Sequence, residues 1–432
     1  MKKLLVIQVA ALGHELLRAN GSLHWQGLDF HSAQSVFPAV TCPVQAGFRT
    51  AASPLLHGMI ANGLFHRELS RVMFWEQSSR LVAGPRIWQE FRTHGGRVGL
   101  MFWQQSLGES VDLILSPAPI HKHHGGMIQD CYSQPSGLYE QLCGTLGRSF
   151  KLRQYWGPLA STRVGDWIAD ATAAVLLDRQ SAPDLLLTYL PSLDYDLQRF
   201  GPSHDKSRGA VQTTLAQIAQ MLRAARQAEY EVLIFGDYAI AEVSEAVFPN
   251  RALRQAGLLN VRKIRGMLYP DLHTSRAFAM VDHQVAHVYV RRPEDLSVAR
   301  EVLADLSGVG QILDRDCQAD VGMGHANCGD IVIVAQQGSW LAYPWWTAGN
   351  ERPDYAGHVD IHNKPGYDPC ELYFGWPPPS VSQDTARIRG SHGRVGPGSE
   401  VAWASTLPID RAGTLLDLAA EVRQWLSEGL KA

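Results

Sequence analysis

The chain lacks an excess of charge of either sign. Its 432 residues carry 39 Lys and Arg against 42 Asp and Glu, a formal net charge of −3. Without a basic field or stripe there is no electrostatic footprint for a nucleic-acid duplex, and no acidic tail appears. Cysteine is sparse: Cys42, Cys131, Cys143, Cys317, Cys328 and Cys370 are scattered and form no CxxC pair. That spacing argues against a zinc ribbon or a disulfide framework and fits reduced thiols in a cytoplasmic protein. No apolar run reaches the roughly 20 residues needed to cross a bilayer, so no membrane partner is expected. Residues 1–12, MKKLLVIQVAAL, imitate a short signal peptide, but Gln8 breaks the run and it reads as the first buried strand. Internal repeats and charge-run linkers are missing as well.

What is present is a globular composition, 45% hydrophobic and 19% charged, with enough apolar mass for a large core. Apolar segments alternate with helical patterns in the first half. Strands are expected over residues 3–9, 96–103, 184–190 and 231–235, and helices over 12–23, 81–93, 137–146, 165–177 and 209–228. In the last of these Val211, Leu215, Ile218 and Leu222 share one face. Such alternation is the pattern of a mainly parallel sheet covered on both faces. Residues 116–134 read as a loop rich in His and Gly, with His121, His123 and His124 close together. Beyond residue 270 the expected strands are 276–281 and 287–291 around a polar insert, DHQVA, then 309–313 and 330–335, with a helix over 296–306. Residues 348–398 are loop-dominated, and a helix over 413–430 closes the chain through Leu415, Leu418, Val422 and Leu426. The expected organisation is one α/β domain over 1–432 with inserts near 104–162 and 340–400.

The stretch 37–63, FPAVTCPVQAGFRTAASPLLHGMIANG, invites a chemical reading. Thr41 follows a Phe-Pro approach and precedes residues able to start a helix, whose N-terminus offers unpaired N–H groups to a phosphate. His57-Gly58 leads into Asn62, whose amide can donate to the same oxyanion. An ordinary loop with a capping Thr satisfies the same spacing. Catalytic groups of open parallel sheets gather at the carboxyl ends of strands, where Asp194 follows the strand ending at Leu190 and Asp237 the strand ending at Phe235. His392 lies in a late Gly-flanked turn, RGSHGR.

In this order the motifs resemble the type I phosphodiesterase/nucleotide pyrophosphatase family of the alkaline phosphatase superfamily. The resemblance implies an alkaline-phosphatase-like three-layer sandwich, Thr41 as the hydroxyl that attacks phosphorus, and Asn62 as the group that steadies a phosphoryl oxygen. It also implies two divalent metal ions, zinc by the family's pattern, with Asp194, Asp237 and His392 among their ligands. Three positions depart from that pattern: Ala10 stands for an early Asp, Gln198 for a His four residues after Asp194, and Tyr238 for the His after Asp237. Gln198 and Tyr238 are then expected to face the substrate. Substitute ligands are available in Asp282-His283 and His287, and in His358, Asp360 and His362, which leave one face if that HxDxH segment is extended. The expectation is a rearranged site of Asp194, His392 and Asp237 with some of Asp360, His362, Asp282 and His283, holding one or two ions. It would hydrolyse a small phosphoric ester, a phosphodiester or pyrophosphate, through a phosphoenzyme on Thr41. The lost ligands leave open a descendant that binds a phosphorylated or anionic ligand, or transfers a group, without hydrolysis.

Overall fold

The computed structural model describes residues 2–123 and 126–428, so His124 of the His-rich stretch and residues 429–430 of the expected closing helix lie outside the described residues. A sheet of eight strands forms the centre: β1 (Leu4–Val9), β2 (His31–Ala33), β3 (Val98–Met101), β4 (Leu113–Pro117), β5 (Cys131–Gln134), β6 (Leu185–Leu190), β7 (Glu231–Gly236) and β8 (Val401–Ser405), in the order β5-β4-β3-β6-β1-β7-β8-β2. The inner run β4-β3-β6-β1-β7 is parallel, and β5, β8 and β2 are antiparallel to their neighbours.

All six residues of β1 are buried, as a strand covered on both faces requires. Its side chains alternate between two cores. Leu5, Ile7 and Val9 pack with the helices α2 (Arg163–Leu177) and α4 (Asp205–Gln227), through Ile168, Val175, Leu215 and Ile218. Leu4 and Val6 pack on the other face with α1 (Thr41–Thr50) and α5 (Leu415–Glu428), through Val44, Phe48, Leu418 and Val422. This is the expected three-layer α/β arrangement. Each buried Leu, Ile or Val stabilises it by about 1.5–3 kcal/mol, so the layers hold without help from surface ion pairs, each worth about 0–1 kcal/mol.

A second, antiparallel sheet runs in the order Ala277–Asp282, Val285–Val290, Ile331–Ala335, Val309–Asp314. The polar insert is shorter than the sequence suggests. Asp282 pairs with Val285, so only His283 and Gln284 turn the hairpin, with His283 at φ 60. Two further expectations are corrected. Residues 116–134 contain β5 and the small hairpin Ile120–His121 with Met127–Ile128 rather than one loop. The helix expected over 81–93 survives only as Gln89–Thr93, because Gly84 takes φ +90 ahead of Pro85. No helix of the described residues is long and apolar enough to cross a membrane, and all six cysteines are unpaired.

The parallel register brings three chain exits together. Val9 is level with Leu190 on one side and Gly236 on the other. Gly236 is required there, since a Cβ on it would lie 2.3 Å from the Leu12 carbonyl oxygen. Gly236→Ala therefore forces either the Leu12 turn or β7 to shift, an overpacking cost of about 1–3 kcal/mol. A clear fall in melting temperature is expected, and an unchanged melting curve would show that the turn yields freely.

Candidate active site

The site is built at the carboxyl edge of β6, β1 and β7. Asp237 follows β7 directly and is fully buried. Its Oδ1 accepts the N–H of Ala11 at 3.1 Å and of Tyr238 at 3.0 Å, and its Oδ2 accepts Gln8 Nε2 at 3.1 Å. Ala11 reaches it because the chain turns sharply after β1, with Ala11 at φ 61. Ala10, where the resemblance would place a metal-binding Asp, has no polar side chain to offer.

Asp194 lies in the first turn of α3 (Leu193–Phe200), one turn before Gln198. Gln198 Nε2 donates to Asp194 Oδ2 at 2.5 Å, and the Tyr238 hydroxyl donates to Oδ1 at 3.2 Å. Gln198 thus turns its N–H toward the carboxylate, while its oxygen accepts the Tyr367 hydroxyl at 2.9 Å. Asp282, at the end of its strand, accepts the Asn62 backbone N–H at 2.7 Å and the Asn62 side-chain amide at 3.2 Å, and touches His283 Nδ1 at 2.7 Å.

Thr41 is the first residue of α1, preceded by Val40 as the cap, and is buried. It is therefore not a capping Thr. Its hydroxyl lies 3.4 Å from the Tyr189 hydroxyl at the end of β6. Asn62 Oδ1 accepts the N–H of Cys42, the next residue of the helix, at 3.0 Å. Its amide is thereby strung between the helix start and Asp282.

His392 joins the centre from the late turn. Its Nδ1 meets the Ala39 carbonyl oxygen at 2.8 Å and so carries the proton, which leaves Nε2 an acceptor, 3.9 Å from Asp194 Oδ1. Nε2 is buried with no hydrogen-bond partner. Tyr238 covers one face of the imidazole, ring centroids 3.4 Å apart and planes at 1°, and His283 covers the other at 3.8 Å. Tyr367 stacks on His283 at 3.6 Å, giving a run of four rings: Tyr238, His392, His283, Tyr367.

Thr41, Asn62, Asp194, Gln198, Asp237, Tyr238, Asp282, His283 and His392 thus form one connected centre. Asp360 and His362 are engaged elsewhere. The HxDxH segment is a turn rather than an extended strand, with Asp360 Oδ1 accepting the Asn363 N–H at 3.2 Å and His362 Nδ1 on the Phe74 carbonyl oxygen at 3.0 Å. His287 is spent between the Ile60 carbonyl oxygen and the Gly329 N–H inside the second sheet. Among the described residues no group of three or more His, Cys, Asp or Glu is arranged to hold a metal ion. Sequence reasoning missed Gln8, Tyr189 and Tyr367. Tyr189 and Tyr367 lie in segments already flagged, but nothing in their spacing marks a phenol as a site group.

Burial sets the protonation of the centre. It raises Asp194 to about 7, Asp237 to about 8 and Asp282 to about 6, because an ionised carboxylate loses its water there. It holds His283 and His392 well below the usual imidazole range, His287 at about 4 and His57 at about 3, since a buried cation is penalised equally. The carboxyl groups have raised pKa values in the fold, so their contribution to stability is full below about pH 4 and is lost as pH rises through 6–8. The imidazoles have depressed values, so theirs is present above about pH 6.5 and lost on acidification. Thermal stability should peak between these limits and fall on both sides. Asp237→Asn should flatten the alkaline limb, because Gln8 Oε1 has no partner and can accept the new amide by a flip of Gln8. Melting temperatures at pH 5, 6.5 and 8.5 test this, and an alkaline limb as steep in the variant as in the parent would contradict it.

Comparisons with known proteins agree with the architecture. The family described as type I phosphodiesterase/nucleotide pyrophosphatase matches residues 14–368. None of the curated proteins matches the chain in sequence. Among solved structures, phosphonoacetate hydrolase from Sinorhizobium meliloti 1021 in complex with phosphonoformate superposes with a TM-score of 0.63 at 15% identity, covering 99% of this chain and 96% of that one. Murine ectonucleotide pyrophosphatase/phosphodiesterase 5, in an inactive form with AMP, gives a TM-score of 0.60 at 13% identity over 99% of this chain and 95% of its own. The human counterpart gives 0.60 at 12% identity, with the same coverage. At these identities the likeness is one of fold.

Proposed function

Because the chain belongs to the type I phosphodiesterase/nucleotide pyrophosphatase family, whose members are metal-dependent hydrolases of phosphoric esters, we propose that it hydrolyses a small phosphoric ester at Thr41. The observation that supports this reading is the convergence of Thr41, Asn62, Asp194, Asp237 and His392, drawn from far-separated segments, on one buried centre. Thr41 Oγ1 would form the bond to phosphorus as the ester oxygen leaves, and water would then release the phosphoryl group. The start of α1 contributes the positive end of a helix dipole beside that oxygen. Tyr189, whose phenol burial keeps protonated, can donate to a phosphoryl oxygen or hold the Thr41 hydroxyl in place.

The family's two-ion set does not fit the residues present. Ala10 has no donor atom, Tyr238 gives its hydroxyl to Asp194, and Gln198 presents its N–H to the same carboxylate. Asp237 already accepts from three protein donors. A second reading, in which the centre binds an anionic phosphorylated ligand without hydrolysis, is favoured by the same protein donors on its carboxylates.

Release of nitrophenol from bis-nitrophenyl phosphate, nitrophenyl phosphate and a nitrophenyl phosphonate decides between them. Turnover of at least one ester is expected, with Thr41→Ala reducing it by more than about 1,000-fold and Thr41→Ser retaining part of it. Hydrolysis that persists undiminished in Thr41→Ala would remove the nucleophile. No turnover, with a phosphate ester shown to bind by calorimetry, would establish the second reading.

A further inference from the structure

The donors around Asp194 and Asp237 hold the centre in the manner of a hydrogen-bonded lock. We propose that Tyr238, Gln198 and Gln8 take the place of divalent cations in this chain, so that the centre is built and maintained without metal. This inference goes beyond the hydrolase reading above and can hold whether or not an ester is turned over.

The first argument is the donors already in place. A buried carboxylate without water needs donors or a cation on its oxygens. Asp237 has three, all from protein N–H groups, and Asp194 has an amide N–H on one oxygen and a phenol O–H on the other. Of the roughly four lone-pair sites on each carboxylate, protein donors take two on Asp194 and three on Asp237, and turning either group to chelate an ion would strand Gln8, Gln198 or Tyr238 as a buried unpaired donor.

The second argument is the kind of atom offered. A zinc site needs three or four oxygen, nitrogen or sulfur lone pairs converging within about 2.0–2.3 Å of one point. Around Asp194 the neighbouring groups are an N–H from Gln198 and an O–H from Tyr238, both pointing at the carboxylate. His392 Nε2 supplies one unclaimed lone pair. One imidazole and one carboxylate fall short of the three or four protein ligands of a zinc shell.

The third argument is shape. Tyr238 lies flat on His392 and, through the same residue, reaches Asp194 with its hydroxyl. The remaining rings, His283 and Tyr367, continue the stack, and the Tyr367 hydroxyl fixes the Gln198 oxygen. The Gln198 amide is thereby held between the Asp194 carboxylate and the Tyr367 hydroxyl. The assembly is cross-braced, and each member specifies the orientation of the next.

Metal analysis and melting curves test this on the whole protein. Protein purified without chelator should carry less than about 0.1 equivalent of zinc, manganese or iron per chain. Its melting temperature should not move with excess zinc or with EDTA, because a specifically bound ion would raise it by mass action. Any turnover should be equally indifferent to EDTA. Tyr238→His with Gln198→His places two imidazoles beside Asp194 and His392, and this double variant should take up zinc near one equivalent and gain a zinc-dependent rise in melting temperature. Near-stoichiometric metal in the parent protein, or a chelator-sensitive melt, would overturn the proposal. A folded double variant that still refuses zinc would overturn the assignment of Tyr238 and Gln198 as the replacing groups. Loss of the hydrolytic reading leaves these readouts untouched, since none but the EDTA arm of turnover depends on it.

Discussion

A carboxylate withdrawn from water must be met by something, and three of them meet in this centre. Asp194, Asp237 and Asp282 are buried together at the carboxyl edge of the sheet, and among the described residues no Lys or Arg ion-pairs with any of them. Unopposed, three such charges would be prohibitive, since ionised groups in a dry interior cost several kcal/mol each even after relaxation. The chain meets the constraint with neutral donors, amide, phenol and backbone N–H, and by letting burial push the carboxyl groups toward their protonated forms. The contrast with Lys364 is instructive. That buried ammonium is opposed directly by Asp368 at 2.8 Å and Glu371 at 2.6 Å, a pairing of full charges that the centre does not use.

The two sheets meet through the same hydrogen bonds. The hairpin turn at His283-Gln284 projects Asp282 and His283 from the second sheet into the edge of the first. Gln284 donates its N–H to the His392 carbonyl oxygen at 2.9 Å, and His392 is tied through Nδ1 to Ala39, two residues before Thr41. Asn62 closes the circuit from the other side, bonded to Cys42 and to Asp282. Thr41, Asp282 and His392 are thereby fixed relative to one another by backbone as well as side chain. A change at any one of them is felt at the others, because the bonds share partners.

The scaffold was legible in the sequence because the signals were local: buried strands at β1, β6 and β7 read as apolar runs, and α4 as a 3.6-residue stripe. The positions of Asp194 and Asp237 followed from one rule about strand ends. What was illegible depends on side-chain direction. No sequence pattern tells which groups meet an amide such as Gln198, and here one of its partners, Tyr367, comes from 169 positions away. Likewise the HxDxH segment looked ligand-like only while it was imagined extended; the Asn363 and Lys364 amides fold it into a turn. Tyr238 read as a lost ligand, while in the fold it is a donor and one end of a ring stack.

That no Lys or Arg among the described residues ion-pairs with the carboxyl groups of the centre bears on which ester suits the proposed reaction. A phosphoryl oxygen near Thr41 meets a helix start, equivalent to roughly half an elementary charge, and the Tyr189 hydroxyl, which burial keeps neutral. Bonds from these neutral donors to a phosphoryl oxygen are charge-assisted by the anion, but they bring no full positive charge to balance the second negative charge of a dianion. A monoester brings two negative charges into a centre already holding three carboxyl groups, and each of those would have to take up or keep a proton to admit it. A diester brings one. With Asp194 and Asp237 held near 7 and 8, protonating them at neutral pH costs little, and a single charge is then the most that the donors in place can answer. In the reaction proposed for Thr41, the same balance of neutral donors and raised carboxyl groups would suit a singly charged phosphodiester better than a monoester.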